Sequence, residues 1–425
     1  MRSETVRFET SGILVVFVMC FTLFAAAAAA RNFKVLHRFK GADGADPFTG
    51  LILDSAGNLY GTTVSGGDLN GGVVFKLSPN ADGSWTEGVL HSFTGGTTDG
   101  FNPRADLILD ETGNLYGTTA SGGYLGGGNG VVFKLSPNPD GSWTQSLLYA
   151  FLGTSDGSTP LAGLIFDTAG NLYGTTALAG VHGYGVVFQL TPNADGSWTE
   201  SVLYSFTGGN DGANPEADLT FDATGNLYGT TVEGGDPNCE SVYGCGVVFR
   251  LTPNANGDWK ERVLHRFHTA GGAYPQGTLI WDGAGALYGT AQVASTGVNG
   301  LVLKLRPNPN GAWTETVLHR FTSTRDGAFP FAGLTFDGTG NLYGTTAYGG
   351  NLICEGGSGC GAVFKLAPNV DGGWTESLLH VFQGNPAANP YGGSLVFDKA
   401  GNAYGITSNC GVGTNCRGVV FEITP

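Results

Sequence analysis

Val35-Leu36-His37-Arg38-Phe39 is the first of seven versions of one segment, and the others begin at Val89, Leu147, Val202, Val263, Val317 and Leu378. Successive starts are 54–61 residues apart. Self-similarity at a period of this size signals a repeat architecture and decides the fold before local propensity is weighed. Between one version and the next lie the same short apolar runs, which in the first copy are residues 50–54, 58–64, 72–77 and 85–93. Each is rich in Val, Leu, Phe, Tyr or Thr and is bounded by turn residues, so each reads as a strand. The links Asp54-Ser55-Ala56-Gly57-Asn58 and Asn80-Ala81-Asp82-Gly83 are tight turns. Their Asx side chains bond nearby backbone, and Gly accepts positive φ.

Four antiparallel strands per copy, repeated radially, describe the blade of a β-propeller. The two ends of the sequence fix the closure. The segment Glu422-Ile423-Thr424-Pro425 matches Lys76-Leu77-Ser78-Pro79, so the seventh copy has three strands and lacks its fourth. Residues 31–39 form a fourth strand with no first three. The expectation is an all-β chain: a seven-bladed propeller over residues 31–425, with residues 31–39 completing the last blade and removing an open edge.

Composition agrees. Gly is 73 of 425 residues, and only 13% are charged, with a net charge of −15. Helix formers are scarce and no heptad appears, which excludes bundles and coiled coils. The acidic balance excludes a phosphate-binding face for nucleic acid. Residues 1–30 read as a signal peptide: Arg2 and Arg7 precede an apolar run over 13–30 that ends in six alanines, with cleavage before Arg31. A retained membrane anchor is the competing reading of that run. Met19 is too large for lipoprotein processing at Cys20, which is therefore a signal-sequence residue. After cleavage no membrane span is expected, and the chain is expected to be monomeric and extracytoplasmic.

The recurring Asp-x-x-Gly-Asn-Leu-Tyr-Gly-Thr-Thr, Gly-Val-Val-Phe-Lys-Leu and Pro-Asn-x-Asp-Gly-x-Trp-Thr-Glu resemble the bacterial GloVer tandem repeat over essentially all of residues 35–425. The resemblance implies an exported surface protein and implies no activity. Members of that family carry various C-terminal anchors, and this sequence departs from them in ending at Thr424-Pro425.

Most of the repeated residues read as structural. Tyr60, Tyr116, Tyr173, Tyr228, Tyr288, Tyr343 and Tyr404 hold one register position and are expected to pack blades. The glycine after each, Gly61 in the first copy, is expected where blades approach closely. Trp85 and its five equivalents are expected to cover blade edges. His37, His91, His265, His319 and His380 share a register with Tyr149 and Tyr204. A position that exchanges His for Tyr calls for a flat amphipathic ring, so no metal or cofactor is assigned. Asp82-Gly83 and its copies lack the rest of a calcium ladder and read as hairpin turns. The pairs Cys239/Cys245, Cys354/Cys360 and Cys410/Cys416 have one spacing, and each falls in the loop between a second and a third strand. They read as three local disulfides of an oxidising compartment.

Variation concentrates at one end, where the loops between second and third strands and the blade connections lie. Tyr124, Tyr184, Tyr274 and Tyr348 fall in these loops, as do Tyr243 and Tyr391. Each blade connection carries a Pro, and the residue after it differs in every copy: Phe48, Arg104, Leu161, Glu216, Gln276, Phe331 and Tyr391. This position precedes the innermost strand and rings the channel mouth. The expected ligand site is an arc of Phe48, Phe331 and Tyr391, adjoined by Arg104, with Glu216 two blades further on. Tyr124, Tyr184, Tyr274 and Tyr348 are added from the loops, with a glycan or a protein as the partner. An enzyme is the alternative, of lactonase, lyase or glycosidase type. Its charged cluster would be Arg104, Asp106, Glu216 and Asp218, spread over two non-adjacent blades, and no catalytic residue is assigned. An inert structural surface protein is the third reading.

Overall fold

The computed structural model describes residues 32–424, apart from 124–127, 240–242, 294–297, 323–324 and 411–414. Residues 1–30, read as the signal peptide, and Tyr124 lie outside the described residues. Seven four-stranded antiparallel sheets form the blades of a propeller. In the first blade the strands are Ile52–Leu53, Leu59–Thr63, Val73–Pro79 and Trp85–Ser92, from the channel outward. The innermost strand is shorter than its apolar run because only two residues pair before the Asp54 turn. In the last blade Asn32–Arg38 pairs with Val419–Thr424, so the N-terminal strand closes the ring. No helix among the described residues is long and apolar enough to cross a membrane.

Turn chemistry sets each inner hairpin. Asp54 Oδ1 accepts the backbone N–H groups of Ala56 and Asn58 at 2.9 and 2.8 Å. Its Oδ2 accepts the Asn58 amide at 2.7 Å and the Tyr60 hydroxyl at 3.0 Å. The same Asp to Tyr hydrogen bond recurs in every blade. The conserved-register tyrosine therefore does two things: its hydroxyl ties the turn, and its ring packs on the next blade. Tyr60 meets Trp143, and Tyr404 meets Trp85, edge to face. The tryptophans thus cover blade edges rather than standing free.

The core is a series of clusters that each span two blades. One contains Tyr116, Val132 and Phe151 from the second blade with Leu164, Leu172 and Phe188 from the third. Phe39, at the end of the closing strand, is fully buried and packs edge to face on Phe75 of the first blade, 5.0 Å between centroids. The glycine after the tyrosine has a different cause from the one expected. Gly61 sits opposite Phe75 within its own blade, and a Cβ there would come within 2.8 Å of that ring. The close approach is a phenyl ring lying over the cross-strand glycine, not a contact between blades.

Each outer pair carries a bulge that the repeat pattern does not reveal. Val74 pairs with His91 and Phe75 with Val89, leaving Leu90 as the extra residue. A bulge re-aims the side chains that follow it, and here it turns the His/Tyr position toward the neighbouring blade.

Candidate channel-mouth site

A seven-fold backbone device positions the mouth. The residue before each connection proline is left-handed although none is glycine: Asp46, Asn102, Thr159, Asn214, Tyr274, Phe329 and Asn389 have φ of 54–58°. Each N–H donates to a loop carbonyl of the preceding blade. Asn214 reaches Tyr184 at 3.0 Å, Tyr274 reaches Cys245 at 3.0 Å and Asn389 reaches Cys360 at 2.9 Å. Each carbonyl then accepts from its own blade, as Asn214 does from Val232 at 3.1 Å. These residues stitch neighbouring blades together immediately before the diversified position. The disulfides Cys239–Cys245, Cys354–Cys360 and Cys410–Cys416, with Cα separations of 5.8, 5.6 and 5.7 Å, brace the same loops.

The diversified residues line one cavity of about 290 Å³ at the mouth. Phe48 and Tyr391 lie with centroids 5.6 Å apart and planes 16° from parallel. Phe331 meets Tyr391 at 5.6 Å, so the three rings form a continuous wall. The Arg104 guanidinium carbon stands 5.6 Å from the Phe48 ring centre, within cation–π range. On the far side Glu216 accepts Gln276 Nε2 at 2.6 Å, and Gln276 in turn accepts from Gln292. Burial pushes the Glu216 carboxyl up, against the hydrogen bond from Gln276.

Below this tier is a second, two residues further along each connection. Asp106 Oδ1 accepts the N–H of Gly50 on the first blade. Asp218 Oδ1 accepts the N–H of Gly163 on the third blade at 2.6 Å, and Thr278 on the fifth blade hydrogen-bonds the same carboxyl. Each acid thus leans over a glycine of the preceding blade. A Cβ at Gly50 would lie 2.6 Å from Asp106 Oδ2. Both carboxylates line the mouth cavity. Burial, and next the charge of Asp218, push Asp106 up to about 7, and burial raises Asp218 as well. The four charged residues that sequence reading spread over two blades therefore border a single chamber, because the ring is narrow near its axis. Sequence reading places Asp106 and Asp218 only in the charged cluster of the enzyme alternative, not among the ligand-binding residues. The signal for them was a second varying register, Gly50, Asp106, Gly163, Asp218, Thr278 and Gly333, two places after the first.

The loop tyrosines are dispersed. Tyr348 hydrogen-bonds the Tyr391 hydroxyl and meets that ring at 87°, so it stands behind the aromatic wall. Tyr184 is 44% exposed with its ring against Gly208. Tyr274 packs on the apolar cluster around Cys245 and Phe267. Neither borders the mouth cavity.

Acid and imidazole groups also meet at the seams between outer strands. His37 Nε2 lies 3.0 Å from Asp43 Oδ2, and one donor atom from each of His37, Asp43 and Glu87 falls within 4.8 Å of the others. That spacing would suit a cation. The same three places are filled in the next-but-one seam by Tyr149, Asp156 and Glu200, with the phenol donating to Asp156 at 3.1 Å. A phenol stands there without any metal-ligating imidazole, so the recurring arrangement is accounted for as a hydrogen-bonded seam.

The sequence model of the Gloeobacter/Verrucomicrobia repeat matches residues 21–243, 124–356 and 238–425. No curated protein sequence matches the chain. Among solved structures, a protein of unknown function from Dyadobacter fermentans is 12% identical, with a TM-score of 0.45 over 93% of this chain and 100% of its own. An ancestral GH74 enzyme is 13% identical, with a TM-score of 0.50 over 90% of this chain and 51% of its own. A gluconolactonase from Xanthomonas campestris is 16% identical, with a TM-score of 0.40 over 94% of this chain and 92% of its own. At these identities the likeness is one of fold alone.

Proposed function

The chain belongs to the Gloeobacter/Verrucomicrobia repeat family, and on that premise we propose that it is an exported binding scaffold that holds a glycan at the channel mouth. The observation that carries this reading is the wall of Phe48, Tyr391 and Phe331 with Arg104 beside it. Flat rings receive the apolar face of a sugar, and a recessed cavity of about 290 Å³ suits one ring of a chain. A protein partner is less well matched, because a stable interface needs a face of roughly 800 Å² per partner. Three local disulfides support an extracytoplasmic setting.

A glycan array probed with the mature chain tests this. Replacing Phe48, Phe331 and Tyr391 together by Ala should abolish binding and leave the melting temperature nearly unchanged. A large loss of stability would make the rings core instead. The enzyme reading draws on Asp106, a carboxyl that burial and the charge of Asp218 raise to about 7, as a general acid. Release of reducing ends from a bound oligosaccharide would favour it.

A further inference from the structure

We propose that the floor of the mouth cavity is an amine subsite, in which Asp106 and Asp218 receive the ammonium group of an amino-sugar unit whose ring lies along Phe48 and Tyr391. This rests on the glycan reading above and narrows it to chains carrying free amino groups.

Charge is the first argument. Asp106, Glu216 and Asp218 border the cavity against one guanidinium, Arg104, which is exposed and occupied with the Phe48 ring. The cavity therefore lacks a counter-ion at its floor. The second argument is open valence at a recessed acid. Asp106 Oδ1 is engaged by Gly50, whereas no described residue donates to its Oδ2. Asp218 retains acceptor capacity beyond Gly163 and Thr278, since a carboxylate offers about four lone-pair sites. An ammonium group brings three donors and no acceptor, which is the complement of two such carboxylates.

Protonation gives the third argument. Burial raises both carboxyls and the charge of Asp218 raises Asp106 further, so the pair keeps a proton that a neighbouring cation would displace. On binding, the ammonium nitrogen keeps its protons, the Asp106 carboxylic acid loses one to solvent, and two carboxylates then face one cation. Glu216 has one oxygen engaged by Gln276 and stands in the upper tier, where Glu233 raises and Arg104 lowers its carboxyl, so it adds negative field above the pair. The wall selects the rest of the ligand. Phe48 and Tyr391 are stacked and Phe331 tilts against Tyr391, so the wall presents an apolar run of ring edges and outer faces as long as a pyranose ring, more than a lysine side chain covers.

The test is calorimetry on the full mature chain at about pH 5.5, where the sugar amine and Asp106 both carry their protons, with three β-1,4-linked hexamers: glucosamine, N-acetylglucosamine and glucose. The glucosamine hexamer should bind at least about ten-fold tighter than the other two. Its heat should vary with the ionisation enthalpy of the buffer, reporting proton release, and the glucose hexamer's should not. Asp106→Asn and Asp218→Asn should each remove the preference, while Arg104→Ala should strengthen amine binding. The buffer comparison uses the unaltered protein and stands even if a variant fails to fold. Equal affinity for all three hexamers overturns the amine subsite and leaves the glycan reading intact. Amine preference without proton release, unchanged in both Asn variants, also overturns it. Cleavage of the hexamer would make the acids catalytic and overturn it as well. Binding of none of the three overturns the amine subsite, and the glycan reading then stands or falls on the array.

Discussion

The imidazole of His380 lies flat against the phenyl ring of Phe33, with centroids 4.0 Å apart and planes 9° from parallel. This contact joins the sixth blade to the closing strand, and it is the seam register with its acids removed. Elsewhere the His or Tyr meets an Asp of the blade connection and a Glu of the next outer strand, or Gln145 beside His91 and Asp99, as His319 meets Asp326 at 3.7 Å beside Glu376. Where Gly271 replaces the Asp, His265 turns to Glu315 at 3.3 Å. Where Pro386 replaces the Asp, Phe33 replaces the Glu and the seam becomes a ring stack. The three positions vary as a set because a lone buried acid or imidazole is costly, and each seam resolves that in its own way. Burial without an acid partner pushes His380 down to about 4.

Removal of residues 31–39 tests the closure directly. It strips the pairing from Val419–Thr424 and uncovers Phe382 and Phe421, which Phe33 now touches. An unpaired edge of apolar strand associates with other chains. The truncated chain should melt well below the parent and form oligomers on size exclusion. A monomer with parental melting behaviour would contradict the closed ring.

The seams also set a pH response. Burial, then the charge of a neighbouring Asp, raises Glu87, Glu200, Glu261 and Glu376 to about 7. The folded chain thus holds protons that the unfolded chain releases from about pH 4.5 upward. Stability from these groups is complete below that point and is lost as pH rises through about 7. His37, His319 and His380 are lowered by burial and act oppositely, their contribution being lost as pH falls below about 6.5. At the inner turns burial pushes Asp222 up, but donors from Asn226 and Thr224 outweigh it and leave it at about 2, so that contribution is lost only in strong acid. The four raised carboxyls outweigh the three lowered imidazoles, so melting temperature should be highest near about pH 5 and decline until about pH 7.5, above which these groups no longer titrate. Glu87→Gln should fold, since Gln145 already occupies that register, and should flatten the decline. A melting temperature that rises steadily from about pH 5 to 7.5 would contradict the assignment.

The disulfides make a local prediction. Each joins residues 6 apart in sequence, which by loop closure corresponds to about 2 kcal/mol. Cys245 and Cys360 are also residues whose carbonyls receive the interblade hydrogen bonds from Tyr274 and Asn389. Cys360→Ser with Cys354→Ser should lower stability by about that amount and raise amide exchange at Asn389 first. Exchange that rises equally in the first three blades would show that the bridge acts globally.

How far these features could be read from sequence depends on what repetition exposes. Seven copies reveal strand number, turns and closure, because constancy across copies reports packing. Variation at Phe48 and its equivalents reveals the mouth, because only a position freed from packing can differ seven times. Repetition is silent about backbone sign: Thr159, Tyr274 and Phe329 are poor left-handed residues, and nothing in their identity announces φ near +57°. It is equally silent about radius. Counting blades separates Asp106 from Asp218, but near the axis two blades span only the width of one cavity. Side-chain direction in the variable loops has no register to fix it, so Tyr184 and Tyr274 could not be told from Tyr348, which backs the wall.

Thr159 offers the sharpest test of the stitching residues. A β-branched side chain at φ 58° carries a steric cost of about 1–2 kcal/mol that Asn largely avoids. The position must stay left-handed, because its N–H reaches Asn129 at 2.7 Å and its carbonyl accepts Ala177 at 3.0 Å. Asn already fills the register at Asn102, Asn214 and Asn389, and the Asn389 amide donates to Ala347 at 3.0 Å. Thr159→Asn should therefore stabilise the protein by about 1 kcal/mol, read from denaturant midpoints at unchanged slope. The reverse change, Asn389→Thr, should cost more, since it adds the strain and removes the buried hydrogen bond to Ala347. If Thr159→Asn destabilised the chain, the left-handed geometry at that blade would be wrong, and with it the equivalence of the seven stitches.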